Sequence, residues 1–360
     1  MTPNFLPEHL ASDAVIDEAF RWLCRQRRDR SPNNDVWTLR HRWDDLKSDL
    51  QRRLRSGRYR FSPVDVVQVE SGERIECWCA CDALVLKALS IVLGEALRPH
   101  LSPRCFHLRG HGGNKGAVRE VCAVLATGTY HHVFRSDVKR YYASIHHAAL
   151  LQQLRRYVDD PVLLDLVCQY LHRTLCRGGC FRFVRRGISL GCSLSPPMGA
   201  LYLDLLDKRM ESLGVFYVRF VDDWVILAPT RWKLRDAIWA VNQTLEELRV
   251  EQHPDKTFVG RVGRGFDFLG YRFTPQGLGV APQTLQKFAQ RVTRLYEQGA
   301  SRRRLGQYAE RWQAWVGAGL FMSVAFVAEK PPAGRQRYKR QGKERQRGAR
   351  VRYVTRIGYQ

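Results

Sequence analysis

The 360-residue chain carries 59 Lys and Arg against 35 Asp and Glu, a formal net charge of +24, and 44% of its residues are hydrophobic. This length can bury a sizeable core, and this hydrophobic content excludes an intrinsically disordered protein. Repulsion among this many positive charges destabilises a folded protein unless phosphates neutralise the charges, so the net charge indicates a polyanionic partner. We see neither a signal peptide nor an uninterrupted apolar membrane span, and we therefore expect a cytoplasmic protein without membrane contact.

The first 130 residues are predicted to be mostly helical, with one hairpin. The elements in chain order are basic helices within 1–60, a hairpin from Val64 to Ile75 that turns at Ser71-Gly72, and helices at 82–97 and Ala117–Ala126. A glycine-rich stretch, "LRGHGGNKG", lies between the last two helices. It lacks the G-x-x-x-x-G-K-[ST] spacing and is not interpreted as a nucleotide-binding P-loop.

Beyond residue 130, short strands and helices alternate, which indicates the α+β class. The predicted elements are a strand at 131–138, a helix from His147, a "CRGGC" turn that joins this helix to the strand "FRFVRRG", a helix after Pro197, a helix from Lys233 to Leu248, a strand pair in "FDFLGYRF", and two helices within 283–318 that break at Gly299.

Two adjacent aspartates interrupt one of the most apolar segments, "VFYVRFVDDWVILAPT". Residues 215–218 and 224–227 have strand composition, so the segment predicts a hairpin with Asp222 and Asp223 at its tip. Adjacent like charges repel and are costly to desolvate unless a cation or an arginine neutralises them. The alternative is an ordinary solvated turn, because Asp is a common turn residue.

Asp137 supplies a third carboxylate at the end of another β-rich run. One carboxylate at a strand end, facing two at a neighbouring hairpin tip, would make an oxygen-rich site, and Mg²⁺ prefers hard oxygen ligands. Two such ions about 3.5–4 Å apart could bind the attacking and leaving oxygens of an in-line phosphoryl transfer. We therefore expect a two-metal site held by rigid strands.

The ten cysteines are assigned to no metal. No C-x-x-C pair is present, although Cys77, Cys79 and Cys81 alternate as residues on one face of a strand do. In a reducing cytoplasm, such cysteines are expected to be small buried hydrophobic residues.

The order of sequence motifs along the chain resembles that of the reverse transcriptases of bacterial group II introns and their stand-alone relatives. "RFVDDWVIL" is similar to the family's [YF]-x-D-D motif, "SDVKRYYASI" to its D-[IV]-x-x-x-[FY] motif, and "GISLGCSLSPPMGALYLDLLDKRM" to its G-x-P-Q-G-x-x-x-S-P stretch. "HPDKTFVG" and "FDFLGY" follow in the family's order, and the resemblance covers about residues 45–320.

The resemblance implies an α+β right-hand polymerase fold and the activity of an RNA-directed DNA polymerase. Such an enzyme extends the 3′-hydroxyl of a DNA or RNA primer with dNTPs on an RNA template, using two Mg²⁺ ions, with Mn²⁺ as the alternative metal. The implied divisions are a basic helical N-terminal extension at 1–60, fingers at 61–130, a palm at 131–275, a helical thumb at 276–330 and a basic tail at 331–360.

The resemblance also implies roles for single residues in catalysis and metal binding. Asp137 and Asp222 would bind both metals, Asp223 would support them, and the backbone carbonyl of Val138 would face the second ion. Leu269 and Gly270 fall at the primer grip, which places the 3′-hydroxyl.

The nucleotide-binding residues follow in the same way. Arg74 matches an arginine that holds the triphosphate, and Tyr142 falls at the steric gate that excludes a 2′-hydroxyl, with an ordinary core aromatic as the alternative. Gly191 would let the backbone approach the nucleotide beside Leu190. Lys256 matches a family lysine, with a solvated surface lysine as the alternative.

Three residues depart from the family pattern: Leu190 replaces a glutamine, Ser189 replaces a proline and Gln68 replaces a lysine. Each departure puts ordinary nucleotide handling in question without removing the metal site. We find no HNH-type pattern after residue 330 and no room for an RNase H domain, so a compact stand-alone enzyme is expected.

The tail from residue 330 holds eleven Lys and Arg against one Glu, a net charge of +10, and has too little apolar content to fold alone. It would bind template or structured RNA through phosphates, or serve only solubility. The cations proposed for RNA contact are Arg335, Arg337, Lys339, Arg340, Arg345 and Arg347.

Three biological interpretations remain open from the sequence. The chain is an active reverse transcriptase, retroelement-derived or used in antiphage defence; a maturase-type RNA-binding protein that assists intron splicing; or a domesticated polymerase with an atypical template or none. The RNA partner would accordingly be a general template, an intron RNA or a dedicated non-coding RNA. Three convergent carboxylates favour the first interpretation, because a pure RNA binder has no need of them.

Overall fold

The computed structural model describes residues 5–68 and 74–327. The predicted turn at Ser71-Gly72 and the basic tail at 331–360 lie outside the described residues. The helices are α1 Phe5–Leu10, α2 Asp13–Gln26, α3 Asp35–His41, α4 Trp43–Arg55, α5 Ala80–Leu97, α6 Gly113–Ala126, α7 Tyr141–Ser144, α8 His147–Leu154, α9 Pro161–Leu171, α10 Ser195–Tyr202, α11 Asp204–Ser212, α12 Arg231–Glu247, α13 Pro282–Glu297 and α14 Arg302–Val327.

The strands form three sheets with antiparallel and mixed pairing. Their bounds are β1 Val64–Gln68, β2 Arg74–Cys77, β3 His132–Ser136, β4 Thr174–Arg177, β5 Cys180–Phe183, β6 Phe216–Phe220, β7 Asp223–Ala228, β8 Phe258–Arg261, β9 Phe266–Phe268, β10 Tyr271–Thr274 and β11 Gly277–Val280. The mixture of antiparallel sheets and helices confirms the predicted α+β class.

The central sheet has the order β6-β7-β3-β8, and every neighbouring pair is antiparallel. Its strands are rich in β-branched and aromatic residues, which fit a pleated, half-buried surface. Alternate residues of this sheet belong to two hydrophobic cores: Phe134, Trp224 and Ile226 to the larger, and Val133 and Val225 to the other. Because both faces are covered, the sheet is a rigid base for the residues at its strand ends.

A second sheet has the order β2-β1-β4-β5, in which β1 and β4 run parallel. A third sheet has the order β11-β10-β9 and precedes the helices α13 and α14. The helix α5 follows β2 in the chain, and eleven of its eighteen residues are buried. A helix that is apolar on all sides belongs inside a protein, and α5 lies in the larger hydrophobic core.

Several predicted elements need correction. Thr174–Arg177 is a strand, so "CRGGC" turns between two strands instead of joining a helix to a strand. The helix predicted after Pro197 begins at Ser195 and is interrupted at Leu203. The first error arises because short apolar runs have the same composition in strands and in helices, and pairing across the sheet decides between the two.

The alternating cysteines do not lie on one strand. Cys77 ends β2, Cys79 caps the helix α5 through its side chain, and Cys81 lies within that helix. All ten cysteines are free. Cys105 is buried, and Cys81, Cys122 and Cys192 are half-buried against the hydrophobic cores, whereas Cys180 is exposed, so the expectation of buried cysteines is confirmed only in part. Within the described ranges, no helix is long and apolar enough to cross a membrane.

Candidate active site

Three carboxyl groups meet where the central sheet ends. Asp137 directly follows β3, Asp222 lies in the two-residue turn between β6 and β7, and Asp223 begins β7. Ser136 pairs with Trp224 across β3 and β7, and this register brings Asp137 level with Asp223. All three carboxyl groups line one open cavity of about 800 Å³, which we call the carboxylate cavity.

The electrostatics of the cavity disfavour negative charge. Burial, together with repulsion from Asp137, raises the pKa of Asp222 to about 6. Burial also raises the pKa of Asp223 to about 7, opposed by the nearby Arg135 and reinforced by the other two carboxylates. A cavity that raises the pKa of two carboxyl groups in this way has an unmet demand for positive charge.

Lys256 supplies one positive charge to the cavity. Its ammonium group donates to Asp137 Oδ2 at 2.5 Å, and this hydrogen bond raises the pKa of Lys256. The other oxygen, Asp137 Oδ1, is buried and has no hydrogen-bond partner among the described residues. The structure therefore places Lys256 on the carboxylate expected to bind metal, where the sequence predicted contact with a nucleotide.

The carboxyl groups fit a divalent cation by chemistry. They offer hard oxygen donors, uncompensated charge and one unpartnered buried oxygen, which together are what a Mg²⁺ or Mn²⁺ site requires. Over residues 5–68 and 74–327, however, no group of three or more acidic, His or Cys side chains is already arranged closely enough to hold one ion. The donors line one cavity, and the Lys256 ammonium group pairs with one of them, Asp137.

The turn that carries Asp222 is held in an unusual backbone conformation. Val221 has φ of 61°, in the left-handed region that β-branched residues seldom adopt. Its N–H donates to His107 Nδ1 at 3.0 Å, and its carbonyl accepts from Arg219 Nη1 at 2.6 Å. His107 Nε2 donates to the carbonyl of Pro196, so the imidazole is neutral and both of its nitrogens are satisfied. Burial lowers the pKa of His107 to about 3, consistent with this state.

Arg219 is fully buried and forms an ion pair with the buried Asp207 on α11. Its Nε donates to Asp207 Oδ1 at 2.7 Å, and its Nη2 donates to Asp207 Oδ2. Tyr217 donates to the same carboxylate at 2.7 Å. The guanidinium thus connects α11 to the peptide of Val221, directly before the catalytic candidate Asp222.

The cavity also contains most of the residues predicted to bind nucleotide and primer. Arg74, Tyr142, Leu190, Lys256 and Leu269 line it. The Leu190 side chain is 67% exposed, as expected of a residue free to meet a ligand.

Tyr142 is packed against Gly199, where a Cβ would lie 2.9 Å from the ring. The absence of a side chain at Gly199 therefore leaves room for the Tyr142 ring.

Three predicted residues do not line the cavity: Val138, Gly191 and Gly270. Val138 is buried and forms an isolated bridge with Gln252, while Gly191 and Gly270 adopt positive φ. Gly270 turns β9 into β10, and a Cβ there would lie 2.7 Å from the Trp315 ring. Their proposed roles stay predictions from the resemblance.

The sequence did not predict the residues that fix the backbone of the turn carrying Asp222. No role was predicted for His107, Arg219 or Asp207, although Arg219 and Asp207 lie within the quoted motif segments. Glu76 and Arg173 form a further ion pair at 2.6 Å, and both line the cavity. A single arginine inside the apolar strand "VFYVRFV" is the signal that could have identified Arg219, because a buried arginine requires a partner.

Comparison with known proteins places the chain in a family. The model for "Reverse transcriptase (RNA-dependent DNA polymerase)" matches residues 78–273, more than half of the chain. The chain therefore belongs to the reverse transcriptases, the class of polymerase that this mixed fold fits. Within that family, the order of the motifs resembles that of the group II intron-like lineage.

Two curated relatives are similar over part of their length. Protein YkfC of Escherichia coli K12 is 22% identical over 175 residues, covering 39% of this chain and 46% of the relative. The Putative COX1/OXI3 intron 1 protein of Saccharomyces cerevisiae is 22% identical over 167 residues, covering 45% of this chain and 20% of the relative. The chain thus spans less than half the length of either.

Two solved structures are also similar. They are a Partial Cas6-RT-Cas1--Cas2 complex and a Cas6-RT-Cas1--Cas2 complex, each with 23% identity and a TM-score of 0.41 over 67% of this chain. The matched parts cover 41% and 26% of those chains.

Proposed function

We propose that this protein is an RNA-directed DNA polymerase that extends a primer 3′-hydroxyl with dNTPs. The observation that carries the proposal is the meeting of Asp137, Asp222 and Asp223 in one open cavity within a strongly basic chain. A protein that only binds RNA gains nothing from buried carboxylates, which repel phosphate. Their presence supports catalysis with a divalent ion over a purely binding role.

The metal-binding residues are proposed to be Asp137 and Asp222, supported by Asp223 and the backbone carbonyl of Val138. A bound divalent ion supplies Lewis-acid stabilisation of the developing charge in phosphoryl transfer. His107 and Arg219 hold the turn, so the Asp222 carboxylate keeps its position at the cavity wall. Lys256, released from Asp137, is then free to pair with a phosphate of the incoming nucleotide.

The roles proposed for the nucleotide- and primer-binding residues are those that the family resemblance implies. Arg74 is proposed to hold the triphosphate, Tyr142 to lie beneath the sugar, and Leu190 with Gly191 to border the nucleotide. Leu269 and Gly270, in the turn between β9 and β10, are proposed to place the primer end.

We propose the following divisions of the chain. The basic extension at 1–60 contains α1–α4, the fingers at 61–130 contain β1 and β2, and the palm at 131–275 contains the central sheet. The thumb at 276–330 contains α13 and α14.

Primer extension tests the function directly. A DNA primer annealed to an RNA template should be extended by the purified protein with dNTPs and Mg²⁺ or Mn²⁺. Removal of the ion with a chelator should stop extension, and its return should restore it. Failure to extend with either ion, on RNA and DNA templates alike, would contradict the proposal.

Tyr142→Val should admit ribonucleotides, because the ring that occupies the space of a 2′-hydroxyl is removed. We expect the ratio of dNTP to rNTP incorporation efficiency to fall by about 10- to 200-fold, the range typical of small steric differences in a pocket. Tyr142→Phe is the matched control, since it keeps the ring and should keep the ratio. An unchanged ratio in the valine variant would make Tyr142 an ordinary packing residue.

Deleting residues 331–360 should weaken RNA binding and reduce its dependence on salt. Each phosphate neutralised on a single strand adds about 0.7 to the slope of log affinity against log salt. Glutamine at Arg335, Arg337, Lys339, Arg340, Arg345 and Arg347 should therefore lower the slope by up to about 4, if each contacts a phosphate. Extension of a short primer at low salt should persist. An unchanged slope would show that the tail does not touch RNA.

A further inference from the structure

Within the described part of the chain, six cationic side chains line the carboxylate cavity. Protein groups already bind three of these cations: Arg173, Arg186 and Lys256. The side chains of the other three have no hydrogen-bond or ion-pair partner among the described residues; they are Arg74, Arg140 and Arg182. A guanidinium group without a protein counter-ion is free to bind an anionic ligand that enters the cavity.

Arg140 has a backbone conformation that suits glycine better than arginine. Its φ is 50°, in the left-handed region that residues with a side chain seldom adopt. The chain is fixed on both sides of this residue. The Lys139 N–H donates to the Glu251 carbonyl at 2.8 Å, and the Tyr142 carbonyl accepts from the Ile188 N–H at 2.8 Å. Glycine would adopt this conformation at no steric cost, so an arginine at this position indicates a role for its side chain.

The two adjacent cations Lys139 and Arg140 have different surroundings. Lys139 does not line the carboxylate cavity, and its ammonium group pairs with Glu251 at 3.5 Å, where both side chains are exposed. Arg140 lines the cavity together with Asp137. Only the second of these two neighbouring charges therefore faces the proposed metal and nucleotide site.

The position of Arg140 favours the triphosphate of the incoming nucleotide as its ligand. Arg140 comes three residues after Asp137, so their Cα atoms are at most about 11 Å apart. Asp137 is proposed to hold the metal that binds the phosphates, and Tyr142, two residues beyond Arg140, is proposed to lie beneath the sugar. The primer end is assigned to another element, the turn that carries Leu269. The phosphates of the nucleotide are therefore the anions expected nearest to Arg140.

We propose that Arg140 binds the triphosphate of the incoming dNTP through charge-assisted hydrogen bonds from its guanidinium group. It acts together with Arg74, which the family resemblance assigns to the same phosphates. Gln68 adds no positive charge here, because it is neutral, accepts a hydrogen bond from Arg177 and does not line the cavity. The assignment rests on the polymerase function proposed above, and it adds a residue for which the resemblance implied no role.

Arg140→Gly separates nucleotide binding from the stability of the fold, because glycine suits the left-handed backbone while the charge is lost. In extension of a DNA primer on an RNA template, the KM for dNTP should rise by about 10- to 150-fold, the effect of losing a hydrogen bond to a charged group, with a smaller change in kcat. The inhibition constant of inorganic pyrophosphate, which carries two phosphates without base or sugar, should rise as well. The thermal midpoint should stay equal or rise.

Two further variants complete the experiment. Lys139→Gln removes the neighbouring cation and should leave the KM and the pyrophosphate inhibition unchanged. Arg140→Lys keeps the charge and should recover part of the affinity for dNTP that Arg140→Gly loses. An unchanged KM for dNTP in Arg140→Gly would overturn the proposal, and so would a loss confined to primer–template affinity, which would assign Arg140 to a backbone phosphate. A raised KM together with a lower thermal midpoint would make Arg140 a structural residue.

Binding of the next dNTP to a complex with a dideoxy-terminated primer separates the proposal from the polymerase function, because this binding needs no chemistry. If the unaltered protein bound dNTP in this complex without extending an ordinary primer, and Arg140→Gly weakened that binding, the proposal would stand and only the polymerase function would fail. Absence of any dNTP binding by the unaltered protein would overturn both.

Discussion

Asp222→Asn should abolish primer extension while leaving RNA binding intact. The amide keeps the shape of the side chain but loses the negative charge, and with it the stabilisation of a divalent ion. Loss of about 4 kcal/mol of transition-state stabilisation corresponds to a decrease in rate of about 10³-fold. Asp223→Asn should also stop extension. RNA affinity should not fall, because neither change removes a cation from the protein.

The folded protein should tolerate the loss of Asp222 well. This carboxyl group is half-buried beside Asp137, so the variant removes a repulsive charge, and the thermal midpoint should stay equal or rise. Asp236→Asn, at an exposed position of α12, is the matched control and should leave extension unchanged. Extension at the normal rate by a protein lacking both carboxylates would show that the chemistry takes place elsewhere.

Arg219→Met should destabilise the fold by about 3–5 kcal/mol, because it leaves the buried Asp207 carboxylate without its counter-ion. The ion pair has 0% and 1% side-chain exposure at its two ends, so water cannot replace the lost partner. Urea denaturation, followed by a spectroscopic signal, measures the free energy of unfolding. Replacing Asp207 with Leu in the Arg219→Met protein should recover part of the loss, since no unpaired charge then remains.

The exposed pair of Arg209 with Glu247, at 2.8 Å, is the control for this experiment. Solvent screens that pair, and Arg209→Met should cost about 0–1 kcal/mol. Equal losses in the two variants would show that burial of the Arg219 pair is not the source of its effect.

The sequence predicted most elements and the hairpin of the central sheet because those features are local. The strand composition around Asp222 and the helical periodicity of α5 and α12 are each contained within one short segment. The pairing of β3 with β7 was also expected, since the two-metal interpretation requires Asp137 to face the hairpin. Catalytic and nucleotide-binding roles remain predictions that rest on motif order.

The partners that hold the site could not be predicted, because they are distant in sequence. His107 and Val221 are 114 residues apart, and no periodicity connects them. The contact of Lys256 with Asp137 spans 119 residues in the same way. Composition can show that a buried arginine needs a carboxylate, but it cannot show which of 35 acidic residues provides it.

The backbone conformation of Val221 couples the position of Asp222 to the stability of the fold. A glycine there would relieve the backbone conformation, but it would also let the turn sample many orientations of Asp222. The guanidinium that fixes the Val221 carbonyl is the same one that neutralises Asp207. Substitutions that change the direction of the Asp222 carboxylate are therefore expected to lower the stability of the protein as well. Variants with altered activity should arise more readily at the cavity rim, around Leu190, than behind this turn.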